Sequence, residues 1–369
     1  MKMVDDFLNA MVAHELNGSA NFRLRDKFYK QITKIKPDQK IALKSLLSNI
    51  PGGSFEPITE PSMLKSDATE AQRKAFMESG YLYPLELRDE YLDRIYEAAE
   101  TLKFTNKISG DTIYLSEINQ ELLKSGELDT VEGTYWLSGG TTENQELISS
   151  DITQRLAFDP FILNSVAKYL GSTPIHVATN MWLSGPSKNP AEVLANAQEY
   201  HQDCGFSQFV KVFVYLSDTS IDTGAHAFIR GSCLSDPDKM FEDYTSSERL
   251  SEQQLKEKYK AKDFSTITGN RGTIILGDTS CFHKGLPVEK GSRLILNLEY
   301  TSSLFGSSVP YFNSVPKREY LGTSDNSVAK RICMNYDPGK FDEYSNYNSK
   351  WKSLLRRMKN KIQSSIGIS

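Results

Sequence analysis

The chain has 369 residues, 39% of them hydrophobic and 24% charged, the balance of an ordinary globular protein. A net charge of −4 excludes a nucleic-acid binder that works through bulk positive charge. No run of about 18 apolar residues is present, which excludes a membrane-spanning helix read from hydropathy.

The first 20 residues place acids before a short apolar run and make a poor signal peptide. Cys204, Cys233, Cys281 and Cys333 lie far apart without a CxxC pair, so a reduced cytoplasmic protein is expected rather than a disulfide framework. Residues 1–60 read as helices. Asp38 can cap one with Ile41, Leu43, Leu46, Leu47 and Ile50 apolar, and Pro51-Gly52-Gly53 stops it. A polar linker follows. A helix over 70–80 then runs into a strand at Tyr81-Leu82-Tyr83, and another helix covers about 88–103. Residues 105–150 show no clear period beyond a short strand at 134–137. FILNSVAKYLG predicts a helix over 160–170 that ends on Gly171. From 173 onward, β-branched and aromatic runs alternate with Gly, Asp, Ser and Pro. They are PIHVATNMWLS, QFVKVFVYLSD, AHAFI, GTIILGD and RLILNLEY. Many short strands without alternating helices predict an antiparallel sandwich or barrel, so the fold class is mainly β with flanking helices (α+β). The expected organisation is a helical extension over 1–65, a β domain over 66–308 with a charged helical insertion near 234–268, and an extension over 309–369 ending in a basic helix.

Five histidines are candidates for a metal: His14, His176, His201, His226 and His283. His201 and Asp203 are two apart at a strand edge, which turns both side chains to one side. Taken alone the pair is a weak signal, since two polar residues can equally close a loop. His283, after a strand and a Gly-Asp turn, is the candidate third ligand. Arg293 opens the apolar strand RLILNLEY, a costly place for a cation unless it meets an anion. Its planar fork suits a carboxylate. Two His and one carboxylate form the facial triad of non-haem Fe(II) oxygenases, which leaves positions open for a chelating co-substrate and O2.

The ordered set resembles the phytanoyl-CoA dioxygenase family of Fe(II)/2-oxoglutarate oxygenases over about residues 70–305. AQRKAFMESGYLYP is similar to the family's opening helix and strand. FDPFILNSVAKYLG, HQD at 201–203, YLSDTSIDTGAHAFIRGS and the GD…H…R order of 277–293 follow in place. The resemblance implies a double-stranded β-helix (jelly roll, cupin-like) core, with His201, Asp203 and His283 as iron ligands and catalytic centre. It implies Arg293 on the distal carboxylate of 2-oxoglutarate, Gln202 near cofactor or substrate, and Phe213 as the aromatic beside the cofactor. The activity implied is hydroxylation of a C–H bond of a small molecule, with O2 consumed and succinate and CO2 as co-products. Asp203 also disfavours halogenation, because related halogenases carry a small residue there. The chain departs from the pattern in three places. Cys233 follows the Gly-Ser corner where the family often has His. Lys284 and Gly285 follow His283 where a hydroxyl often assists the arginine. The lysine often found upstream of HxD is replaced by a stretch offering Asn180, Trp182 or Ser184.

Phe209, Lys211, Phe213 and Tyr215 share one strand face, where Lys211 either meets a substrate acid or lies exposed. His226 is expected as a structural or pocket-lining residue, His176 and His14 as structural, and Cys204 and Cys281 as small buried residues. Loops 105–150 and 185–198 are candidate substrate contacts, with Asn144, Trp136 and Trp182 among them. Lys350, Lys352, Arg356, Arg357, Lys359 and Lys361 alternate with apolar residues at helical spacing, as in a packed amphipathic helix, an oligomer contact or a membrane-surface helix. A small-molecule substrate is the expected partner, without nucleic acid or stable membrane insertion, and with a homo-oligomer through the terminal extensions as an option. The alternative function is a metal-binding, cupin-like jelly roll that binds or modifies a sugar or other small ligand without oxygenase activity. It has no need of a dicarboxylate anchor such as Arg293.

Overall fold

Three strands rich in β-branched and aromatic residues form the centre of the larger of two sheets: β5 (Ile175–Ser184), β6 (Phe209–Tyr215) and β11 (Arg293–Thr301). The computed structural model describes residues 37–49, 53–138, 140–189, 198–233, 248–305 and 326–336, with Ala10, His14, Phe241, Tyr244, Phe312, Asn313 and Tyr320. β1 (Tyr81–Glu86), β2 (Phe104–Asn106), β3 (Thr112–Ile113), β4 (Thr134–Leu137) and β9 (Thr273–Gly277) complete the sheet in the order β1-β9-β6-β11-β5-β4-β2-β3. The smaller sheet has the order β10-β7-β8, from β7 (His226–Ile229), β8 (Phe264–Ile267) and β10 (His283–Gly285). Every named strand pair is antiparallel.

The period-2 alternation of β11 separates two cores. Leu294, Leu296, Leu298 and Tyr300 pack on one face with Leu92, Ile95, Leu147, Ile152, Leu156 and Phe161 of the covering helices. Ile295 packs on the other with Phe213, Tyr215, Phe228, Ile267 and Ile275, between the sheets. The sheets approach closely there: a Cβ on Gly277 would lie 2.9 Å from Phe228 Cζ. Opposed residues in an antiparallel pair share a face. The registers therefore align Arg293 with Ser184, Ile295 with Trp182 and Tyr215, Asn297 with Asn180 and Phe213, and Glu299 with Ala178 and Lys211 on the inner face.

The helix Pro160–Leu170 forms as predicted. Asp159 caps it by accepting from the Phe161 and Ile162 amides, and Gly171 ends it at φ 72°. Asp159 also accepts from the Met63 amide at 2.6 Å and from Ser62 Oγ at 3.0 Å, which pins the preceding polar linker to this helix. The expected helix over 88–103 is shorter, Asp89–Glu97, and turns follow it into β2. Residues 105–150, expected to be largely irregular, hold β3, β4 and the helices Gln120–Lys124 and Thr142–Ser149, each capped by the side chain before it, Asn119 and Thr141. The charged insertion is not one helix. Its described residues contain only the α-helix Glu252–Lys256, a 3-10 turn at Ala261–Asp263, and then β8, which pairs with β7. Helix Pro37–Ser48 buries Leu43 and Leu47, and Lys44 Nζ donates to Tyr169 O at 2.7 Å. Phe312, Val328, Ile332 and Tyr336 join the helix-covered core. The first stretch of the expected N-terminal helices, much of loop 185–198 and the basic C-terminal cluster lie outside the described residues.

Candidate active site

His201 and His283 sit side by side because their backbones are hydrogen-bonded to each other. His201 N–H donates to His283 O and His283 N–H to His201 O, both at 3.0 Å. Asp203 N–H continues the zipper to Thr279 O at 2.8 Å. Gln202, between the two candidate ligands, is buried. Its Nε2 donates to Ser280 O at 2.6 Å and Ser232 O at 3.4 Å, tying together the segments on either side of the site.

The imidazoles are oriented by carbonyls. His201 Nδ1 lies 2.9 Å from Glu199 O, and His283 Nδ1 lies 3.0 Å from Cys281 O. A carbonyl only accepts, so Nδ1 carries the proton in each ring and the Nε2 lone pair is free. Both Nε2 atoms turn towards Asp203, His201 to Oδ1 at 3.5 Å and His283 to Oδ2 at 3.6 Å. One ligand atom from each of the three residues lies within 4.8 Å of the others. A cation fits this donor set: two neutral imidazole nitrogens and a carboxylate, with orienting partners behind the rings. Burial, and then the neighbouring His201, pushes His283 down to about 3, so its ring is neutral near pH 7. Burial would raise Asp203, but Lys211 and the two histidines together hold it well below the usual carboxylate range. These are the protonation states that a divalent cation requires.

Lys211 neither lies exposed nor stands free to meet an acid. Its Nζ donates to Asp203 Oδ2 at 2.7 Å and lies 3.9 Å from Glu299 Oε2. Burial raises Glu299 above the usual range despite the lysine beside it.

Arg293 is 6% exposed, and its Nε and Nη1 have no hydrogen-bond partner. Two glycines make room for the guanidinium. A Cβ on Gly285 would lie 3.4 Å from Nη2, and one on Gly224 would lie 3.4 Å from Nη1. The same inner-face row holds Ser184 and Thr134, whose hydroxyls are 3.3 Å apart. Burial pulls Arg293 down to about 10, which leaves it charged near pH 7. A buried guanidinium with two unpartnered nitrogens is costly alone and is matched by a planar carboxylate. The cradle therefore fits one end of a dicarboxylate.

His226 lies on β7, its ring 4.3 Å from Phe213, with Nδ1 3.1 Å from Tyr215 Oη. Tyr215 donates its own proton to Ile267 O at 2.8 Å, so His226 Nδ1–H is the donor in that pair. Burial, and then Arg293, holds His226 well below its ordinary value. It lines the inner face as a neutral ring. Asn180 and Trp182 are half-buried on the same face of β5. Trp182 stands 6.3 Å from Phe213 and 4.9 Å from Trp136, ring centre to ring centre, and Lys107 Nζ lies 4.2 Å from the Trp136 ring. Sequence reasoning missed Lys107 and Glu299 as neighbours of the site, since only pairing across strands and contact with Trp136 bring them there.

The remaining expectations divide. His176 is held by Tyr336 Oη at 2.8 Å and Ala178 O at 3.0 Å, on the helix-covered side. Asn144 is 3% exposed and donates to the Leu137 and Thr179 carbonyls, so it braces β4 against β5 and does not face a substrate. Cys281 and Cys233 are buried, with the Cys233 amide 3.0 Å from Cys281 Sγ, while Cys204 is half-buried. His14 sets its ring tilted against Phe305, 5.5 Å between ring centres.

A family model described as phytanoyl-CoA dioxygenase (PhyH) matches residues 76–293. No match is found among curated proteins. Among solved structures, the chain is similar to the non-heme alpha ketoglutarate dependent carbocyclase SnoK from nogalamycin biosynthesis, at 13% identity over 65% of this chain and 87% of that one, with a TM-score of 0.43. It is also similar to the epimerase SnoN in complex with Fe3+, alpha ketoglutarate and nogalamycin RO, at 15% identity over 70% and 92%, TM-score 0.43. A third is HygX from Streptomyces hygroscopicus with nickel, 2-oxoglutarate and hygromycin B bound, at 15% identity over 67% and 92%, TM-score 0.44. The two antiparallel sheets with their flanking helices agree with the double-stranded β-helix expected from the sequence.

Proposed function

The chain belongs to the phytanoyl-CoA dioxygenase family, a class of Fe(II)- and 2-oxoglutarate-dependent non-haem oxygenases, and on that premise we propose that it hydroxylates a C–H bond of a small molecule. The overall conversion is R–H, 2-oxoglutarate and O2 to R–OH, succinate and CO2, with one oxygen atom in succinate and the other in the product. One observation carries this reading: a converging His-Asp-His donor set shares the space between the sheets with a buried arginine of which two nitrogens lack hydrogen-bond partners.

His201, Asp203 and His283 would hold the iron, their rings fixed by the Glu199 and Cys281 carbonyls. When bound, iron and 2-oxoglutarate supply the oxidising chemistry. Arg293 would bind the distal carboxylate, with Ser184 and Thr134 in the same row. Phe213, Tyr215 and the neutral His226 ring would wall that end, and such a buried setting strengthens an ion pair. Asn180 and Trp182 line the half-buried stretch where co-substrate and substrate meet, and Gln202 keeps the ligand segments in register.

The test is Fe(II)-dependent conversion of 2-oxoglutarate to succinate, screened with small-molecule substrates. His201→Ala and Asp203→Ala should each abolish it, and unchanged turnover in either sinks the assignment. Arg293→Ala should weaken 2-oxoglutarate binding by about 2–4 kcal/mol, roughly 30- to 1,000-fold. Intact affinity would leave a metal-binding jelly roll without the oxygenase co-substrate.

Among the described residues no helix is long and apolar enough to cross a membrane. We further propose a cytoplasmic setting, from four cysteines of which none forms a disulfide. The division at residues 65 and 308 and any association through the terminal extensions belong to the same proposal.

A further inference from the structure

Asp203 offers two carboxylate oxygens, and one of them is already engaged. Lys211 Nζ donates to Oδ2 at 2.7 Å, a charge-assisted bond, while Oδ1 faces His201 Nε2 at 3.5 Å. The lysine is held in turn. Its strand register places it opposite Glu299, whose Oε2 lies 3.9 Å from Nζ, and the two side chains are only 22% and 13% exposed. Gly205 stands beside the acid, since a Cβ there would lie 4.0 Å from Glu299 Oε1. A cation at the triad would thus begin a line of alternating charge: metal, Asp203, Lys211, Glu299. A lysine next to a dication is repelled unless carboxylates intervene, and here one stands on each side of it.

We propose that Lys211 is a positioning residue that restricts Asp203 to ligation through one oxygen, with Glu299 holding Lys211 in place. The proposal rests on the metal reading above. An octahedral ion with two imidazoles and one carboxylate oxygen keeps positions for both co-substrates, whereas an aspartate chelating through both oxygens takes one away. Lys211 therefore guards coordination number rather than metal affinity. That distinguishes it from an ordinary supporting contact, whose loss weakens the metal.

The experiment loads the full chain with Co(II) without oxygen and compares Lys211→Met, Lys211→Arg and Glu299→Gln with the parent. The readouts are the Co(II) visible spectrum, Co(II) affinity and 2-oxoglutarate turnover with Fe(II). Lys211→Met should shift the Co(II) bands and bind Co(II) at least as tightly as the parent. Its turnover should fall roughly 10- to 100-fold, the range for groups that orient a ligand, with the KM for 2-oxoglutarate little changed. Lys211→Arg should restore the parent spectrum, and Glu299→Gln should move the bands in the same direction by less. A parent-like spectrum in Lys211→Met overturns the proposal, as does Co(II) affinity lost in step with thermal stability. Failure of the parent itself to bind Co(II) overturns the metal reading instead.

Discussion

Which nitrogen carries the proton decides what each histidine in this molecule can do. In the candidate site, carbonyls claim the Nδ1 protons and leave Nε2 to a cation. On the other face of β5, Tyr336 donates to His176 Nδ1, and Nε2–H donates to Ala178 O. Burial pushes His176 down to about 3, so the folded protein keeps this ring neutral. An unfolded histidine titrates near about 6.5. Below that value the unfolded chain takes up a proton that the folded ring refuses, so the contribution is full above about pH 6.5 and declines as pH falls towards 3. Urea unfolding of the metal-free protein should show a smaller loss between pH 7 and pH 5 in His176→Gln than in the parent. An equal loss would refute the role. The candidate site residues could be named from sequence because residue type and chain order are one-dimensional facts: His201 and Asp203 two apart, His283 after a Gly-Asp turn, Arg293 at the head of an apolar run. The bond from Lys211 to Asp203 and the orphaned guanidinium were not, because each depends on which residue stands opposite which across strands.

Elements of this fold pass position to the site through close backbone packing. Gly80 ends helix Glu70–Ser79 in the left-handed region at φ 84°, and a methyl group there would lie 2.5 Å from Cys281 Sγ and 2.8 Å from Cys233 Sγ. Cys281 is two residues before His283, and its carbonyl accepts the proton that orients that ring. Gly80→Ala combines backbone strain with overpacking and should cost about 2–4 kcal/mol. Chemical denaturation should show the loss, and Co(II) titration should show weaker binding. A variant unchanged in both would mean that the thiols move aside freely. The long strands β5, β6 and β11 and the helix Pro160–Leu170 were readable because a run of seven or more residues shows its period. β2, β3 and β8 span two to four residues each, too short for any period. Asn119 and Thr141 cap the small helices of 105–150, but in sequence a capping residue without a clear apolar stripe behind it reads as an ordinary polar loop.

For the whole molecule, the sheets meet through two chemistries: apolar packing around Ile295 and Phe228, and the polar inner row from Arg293 to Glu299. Composition placed the chain among ordinary globular proteins, and strand content left a sandwich or a barrel. Which face of each strand turned inward came only from the pairing. A cation that binds the folded triad and not the unfolded chain should stabilise the protein by about 2.7 kcal/mol at a hundredfold excess over its dissociation constant. Thermal unfolding in graded Co(II) should show this rise, and His201→Ala should remove it. The mutual backbone bonds of His201 and His283 extend the point to time. They join segments about eighty residues apart, and the loop-closure entropy for that contact must be met before any ligand set exists. His201 and Asp203 are neighbours in the unfolded chain, whereas His283 arrives only when the sheets have closed. The candidate centre is therefore a clock as well as a site: in refolding, Co(II) colour should appear with the last cooperative phase and not with early helix formation.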